Sequence, residues 1–187
     1  MQDIEPFYNW RHLYAAEEDE YSPFYGREYD DLEYTHTIYN YFIHPQWDDF
    51  GAGNLYLKIL YADYQENYAI IEMIGEWNDC IENDIMTFKR EVIDFMIAKG
   101  ICKFILITEN VLNFHSSDDC YYEEWLDDIR DKGGWITSLN MPEQTVQEFR
   151  QAHLDHFIYL LENNNWRTWQ PQHLFQVVDN WVLKRLE

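Results

Sequence analysis

Two adjacent hydroxyls, Ser116 and Ser117, stand just before a segment that reads as a helix over about residues 118–131. A hydroxyl there accepts hydrogen bonds from the free amides of the first turn, so N-capping is its first expected role, worth about 1 kcal/mol of helix stability. The positive end of a helix also favours an anion. Asp118 and Asp119 already occupy that end, and a phosphoserine carrying about −1.5 to −2 charges would be repelled by them. Such repulsion is also a means of destabilising one of two states. The same helix holds seven acids between Asp118 and Asp131 against Arg130 alone, without the spacing or central glycine of a calcium loop, and reads as a solvated face. His153 and His156 lie three apart, but no acid or cysteine at a defined offset completes a metal set; they read as a core and a surface histidine. Cys80, Cys102 and Cys120 are odd in number and lack C-x-x-C spacing, which suggests neither a disulfide framework nor zinc. No nucleophile elbow, phosphate loop or dinucleotide fingerprint is present, and among 35 acids any chosen carboxylate pair would be arbitrary. No cofactor, metal or catalytic residue is assigned.

Composition narrows the classes further. The 187 residues are 47% hydrophobic and 18% aromatic, enough to build a core and to exclude wholesale disorder. Thirty-five acids against 13 Lys and Arg give a net charge of −22, which repels nucleic-acid backbones and anionic lipid and steers cationic surfaces inward. The expected partner is therefore a protein with a basic surface, not a nucleic acid or a membrane. No apolar run approaches the roughly 20 residues of a membrane span. Met1 to Glu5 lacks the basic and apolar stretches of a signal peptide, so a cytoplasmic location is expected.

The elements that must position these groups follow from periodicity. Residues 1–53 form an acidic, aromatic-rich extension, with 12 acids against 2 bases in the first 50 positions. Glu17 to Glu20 read as an exposed loop and Tyr34 to Ile43 as one strand. Tyr21, Phe24, Tyr25, Tyr29 and Tyr34 either form a docking surface or cover the protein's own sheet. Asn54–Tyr61 and Tyr68–Ile74 read as a β-hairpin. Ile85, Phe88, Val92, Phe95 and Met96 recur at helical spacing over Asp84–Lys99, with Gly100 as the stop. Ile101–Ile107 is an apolar run expected of a strand covered on both faces, and the helix after Ser117 follows it. Trp135–Leu139 is a further strand. A third helix is expected from Pro142 to the break at Asn163, burying Val146, Phe149, His153, Phe157 and Leu160, and a last one from Pro171. The fold class is thus α/β, a mixed sheet of a β-hairpin followed by βαβαβα. Its divisions are residues 1–53, an α/β domain over 54–161, and a C-terminal helix over 162–187 packed upon it.

This order and two local motifs resemble the STAS domain, the family of bacterial anti-sigma factor antagonists. Ile74-Gly75-Glu76-Trp77-Asn78-Asp79 resembles the turn that ends the family's second hairpin strand. Val111-Leu112-Asn113-Phe114-His115-Ser116-Ser117-Asp118 is similar in spacing to the loop before its second helix, with His115 where the family has Asp and Asp118 where it has Gly. Those departures fall on the family's phosphorylation switch. The resemblance spans roughly residues 54–161. It implies a regulatory, non-enzymatic protein-interaction module in which Asn113, His115, Ser116 and Ser117 form a loop that meets a partner or is phosphorylated. Two other readings stand beside it: a small-molecule-binding or catalytic α/β domain using the 109–119 loop, and an acidic nucleic-acid mimic.

Overall fold

The computed structural model describes residues 2–34 and 36–187. Three short strands, β1 (Gln2–Ile4), β2 (Thr37–Ile38) and β3 (Tyr41–Ile43), make a small sheet in the order β1-β3-β2. The segment expected as one strand is therefore a hairpin, reversing at Tyr39 with φ of 53°; Thr35 within it lies outside the described residues.

The main sheet has the order β4-β5-β6-β7-β8. Strands β4 (Leu55–Asp63) and β5 (Tyr68–Asn78) are antiparallel. Asp63 closes their connection by accepting the Gln65 and Glu66 amides at 2.9 Å each, an Asx turn. Strands β6 (Lys103–His115), β7 (Trp135–Leu139) and β8 (Tyr159–Leu161) continue parallel to β5. Phe104, Ile105, Leu106 and Ile107 are fully buried, as the apolar run predicts for a central strand.

One face of this sheet is covered by helices. α1 (Asp84–Phe88), a π turn (Lys89–Ile93) and α2 (Asp94–Ala98) run as one continuous helix, which stops at Gly100 with φ of +100°. With α3 (Cys120–Arg130) and α4 (Glu143–Gln151) it packs Phe88, Val92, Met96, Trp125, Ile129 and Phe149 against Leu57, Ile71, Phe104 and Leu106. The opposite face presents Leu60, Tyr68, Ile70, Ile105 and Ile107. It is closed by Trp10 from the N-terminal segment, by Trp166, and by Leu174, Phe175, Val178 and Val182 of α5 (Pro171–Leu186).

The third helix is shorter than its periodicity predicts. It ends at Gln151, His153 takes a left-handed φ of 59° and is exposed rather than core, and a 3-10 turn (Leu154–His156) leads into β8. Tyr159, Leu160 and Leu161 instead pair with Thr137, Ser138 and Leu139. The open edge of β7 supplies ladder hydrogen bonds that a helix continued past Gln151 would leave unmade.

The N-terminal extension is woven into both cores. Ala16, Phe24, Phe50 and Ala52 join the helix-side core, while Phe7 and Trp10 join the other. Phe24 is buried and Tyr21, Tyr25 and Tyr34 are exposed, so the aromatic set divides between core and surface. Nor do residues 17–20 form a free acidic loop: Glu17 pairs with Arg11 at 3.1 Å, and Asp19 accepts the hydroxyls of Tyr14 and Tyr64.

Candidate interaction site at the ends of the central strands

Strands β5 and β6 both run past their expected ends, and this builds the site. Glu76 lies beside Asn113 and Asn78 beside His115 in the parallel ladder, after irregularities at Glu72/Ile74 and Gly75/Glu76. Gly75 is required where it stands. Its φ is +120°, and a Cβ there would lie 2.0 Å from the Asn54 carbonyl oxygen. The motif expected as a turn is thus strand up to Asn78, and Asn113 and His115, expected in a loop, close β6. The same correction applies to the supposed 109–119 ligand loop: Glu109 to His115 are strand. Paired backbone amides replace a mobile loop because two neighbouring strands extend together.

On one side of the strand ends, Asn113 Nδ2 and His115 Nε2 are 3.1 Å apart, and the Tyr39 hydroxyl donates to Glu76. On the other side the polar groups are buried. Asp79, 2% exposed, accepts Trp77 Nε1 and the Ile85 amide at 2.9 Å each and the Tyr122 hydroxyl, while its own amide donates to the His115 carbonyl at 2.9 Å. Burial pushes its carboxyl up to about 6, against the opposing pull of those donors. Neighbouring Asp84, also pushed up by burial to about 6, accepts the Asn78 amide at 2.8 Å. Together these carboxylates clamp the strand ends to the start of α1.

Ser116 and Ser117 are exposed, in the four-residue link between β6 and α3. Neither caps α3. The N-cap is Asp119, and Asp118 Oδ1 takes the Cys120 amide at 3.2 Å; the Cys120 thiol first, and then this amide, hold the Asp118 carboxyl below its usual range. A carboxylate one residue nearer the helix supplants the hydroxyl. A shallow cavity of about 300 Å³ lies against this link, lined by Asn78, Cys80, Ile81, His115, Ser116 and Glu148. Ile81 is 79% exposed beside it. Sequence reasoning passes over Ile81 and Tyr39 and gives Asp79 no role beyond the turn motif; the available signal for Ile81 is one branched apolar residue within the polar run Asn78 to Asn83.

The acids of α3 do not all form a solvated face. Fully buried Lys89 contacts Asp128 at 2.8 Å and also Asp94, and Arg90 bonds Asp94 and Glu124 at 2.9 and 3.0 Å. Burial alone would lower the Lys89 ammonium, but these carboxylates hold it above its ordinary range. Elsewhere Asp3, Glu5 and His44 bring ligand atoms within 4.8 Å of one another. His44 Nδ1 accepts the Gln46 amide at 3.1 Å, which leaves the proton on Nε2, 3.6 Å from Glu5 Oε1. That nitrogen is a donor aimed at a carboxylate rather than a free metal ligand.

No protein-family model matches the chain, and no curated protein matches its sequence. Solved structures do match. The anti-sigma factor antagonist SpoIIAA in its unphosphorylated form aligns at a TM-score of 0.50 with 12% identity, over 66% of this chain and 96% of that one. The fold is SpoIIAA-like. The Bacillus cell fate determinant SpoIIAA in its phosphorylated form aligns at 0.44 with 11% identity, over 65% and 98% of the two chains. A candidate anti-sigma factor antagonist from Thermotoga maritima aligns at 0.45 with 21% identity, over 66% and 92%. The α/β class and STAS-like sheet expected from sequence are thus those of the structure. Almost all of SpoIIAA is spanned, and about a third of the present chain lies outside the match. Among the described residues, no helix is long and apolar enough to cross a membrane.

Proposed function

We propose that the chain is a non-enzymatic regulatory module, cytoplasmic in location, that binds a protein partner through the strand-end surface formed by Ile81, Asn113, His115, Ser116 and Ser117. The observation that carries this reading is the exposure of Ile81 beside the two free serines on a rigid base. Asp79 and Asp84 fix that base from below, so little conformational freedom is lost on docking. Ser116 and Ser117 make no cap, so their hydroxyls are available to a partner or a kinase, and Asp118 beside them makes an added phosphate a repulsive signal rather than a stabilising one. The net charge of −22 favours a basic partner face and a fast, salt-sensitive encounter.

The test is quantitative affinity capture followed by mass spectrometry, with the intact chain and with the folded variants Ile81→Asp and Ser116→Arg as baits. The reading expects a protein bound by the parent chain to be depleted about tenfold or more with either variant. Identical recovery on all three baits places recognition elsewhere.

A further inference from the structure

The sheet face closed by α5 and the N-terminal segment carries a buried carboxylate that the interaction surface does not use. Glu72, in the middle of β5, is 2% exposed. Its cross-strand neighbour in β4 is Lys58, the natural counter-charge. Yet Lys58 Nζ lies 3.8 Å from both Glu17 Oε2 and Asp48 Oδ2, and over the Tyr29 ring at 4.0 Å. Arg167, from the 3-10 turn beyond β8, is likewise committed, to Glu109 of β6. Among the described residues, the one group that hydrogen-bonds Glu72 is the Phe7 amide, at 2.7 Å to Oε2. A buried carboxylate with one neutral donor and no contacting cation lacks the pairing that such groups ordinarily have.

Glu72 is also reachable. A cavity of about 300 Å³ adjoins it, lined by Phe7, Tyr8, Asn110, Glu5 and Arg167 together with Glu72 itself. We propose that this cavity binds a small organic amine, with its ammonium group seated on Glu72. The carboxylate keeps lone pairs beyond the one given to Phe7, aromatic side chains in the wall suit a desolvated cation, and Asn110 offers a carbonyl acceptor. Glu5 supplies a second carboxylate for the far end of a diamine, and the −22 charge concentrates cations at the mouth. A volume of this size suits a short alkyl chain and matches the lower end of small-molecule pockets.

The experiment is a titration of the full chain with 1,4-diaminobutane, followed by two-dimensional amide NMR and calorimetry, with 1-butanol as the uncharged control. The expected result is saturable shifts at Phe7 and its neighbours, absent with butanol. Binding is expected to weaken about tenfold or more in Glu72→Gln, which keeps an oxygen for Phe7 but removes the charge. Asn110→Phe fills the cavity without touching Glu72 and is expected to abolish the shifts even if Glu72→Gln does not fold. Shifts scattered over the acidic surface without saturation, equal affinity in a folded Glu72→Gln, or undiminished binding by Asn110→Phe would each overturn the proposal.

Discussion

At the scale of single residues, Asp79 and Ser116 illustrate opposite relations between position and energy. Asp79 gathers two NH donors and one hydroxyl around a carboxylate that water scarcely reaches, so its removal leaves three polar groups buried and unpaired. Asp79→Ala is expected to cost about 3 kcal/mol or more in urea unfolding, with Asp79→Asn milder because an amide oxygen still accepts. A loss below about 1 kcal/mol in the alanine variant would show that the cluster contributes little. Ser116 and Ser117, in contrast, have no capping bond to lose. Their alanine variants are expected to unfold within about 0.5 kcal/mol of the parent, whereas Asp118→Ala, which deprives the Cys120 amide of its acceptor, is expected to be measurably less stable. A third case is Lys89. Lys89→Ala empties a buried volume behind the partly exposed Asp94 and Asp128 and should destabilise by about 2 kcal/mol, while Lys89→Met fills the same space and should recover much of that loss.

Among elements, the difference between what was legible and what was not is the difference between local and non-local causes. The first helix could be read because Ile85, Phe88, Val92 and Met96 share one stripe and Gly100 ends it, all within a few turns of chain. The two strand ends at the candidate site could not, since Gly75 to Asn78 and Asn110 to His115 are extended only because each segment supplies the other's hydrogen bonds. β8 was hidden for the same reason: Tyr159 to Leu161 fits a helical stripe equally well until β7 presents an edge. At the site, sequence places Ser116 and Ser117 between the central strand and the next helix, where they lie, but expects of them a cap whose one side-chain bond comes from Asp118. It places Asn113 and His115 in the loop, whereas both belong to the end of β6 and the loop begins at Ser116. The centrality of β6 yields its own expectation. Amides of residues 104–107, paired on both sides, should exchange with deuterated solvent more slowly than those of β2 or β8. Faster exchange in β6 than at the sheet edges would contradict the observed order.

Taken as a whole, the molecule stores acidity in its interior, and this sets its response to pH. Burial raises Glu72 to about 7 and Asp79 and Asp84 to about 6, above the ordinary carboxylate range. The folded state therefore binds more protons than the unfolded chain between about pH 4 and 7, and stability falls as pH rises through that window. Asp94 and Glu109, despite the upward push of burial, are held below the ordinary range by their cationic and amide partners, so their contribution is lost only at lower pH. Urea unfolding is expected to show a chain more stable at pH 5 than at pH 8 by about 2 to 4 kcal/mol, with relief of the −22 self-repulsion acting in the same direction. Equal midpoints at the two pH values would mean that water reaches these carboxylates.

The closure of the second sheet face also has a bearing on the order of events during synthesis. Trp10 Nε1 donates to the carbonyl of Trp169 at 3.0 Å, joining positions 159 residues apart, and both segments lie over the same strands. A nascent chain that has made the whole sheet but not α5 carries Tyr68, Ile70, Ile105 and Ile107 with half their cover missing. Such late, long-range contacts slow folding and leave a transiently adhesive intermediate. Arresting translation once residues through Asn165, extended by a flexible linker, have cleared the ribosome should therefore yield a bound chain that binds hydrophobic dyes and recruits chaperones, and emergence of α5 through Leu186 should abolish both. The hydrogen bond from Trp10 to the Trp169 carbonyl would then act as a latch that reports completion.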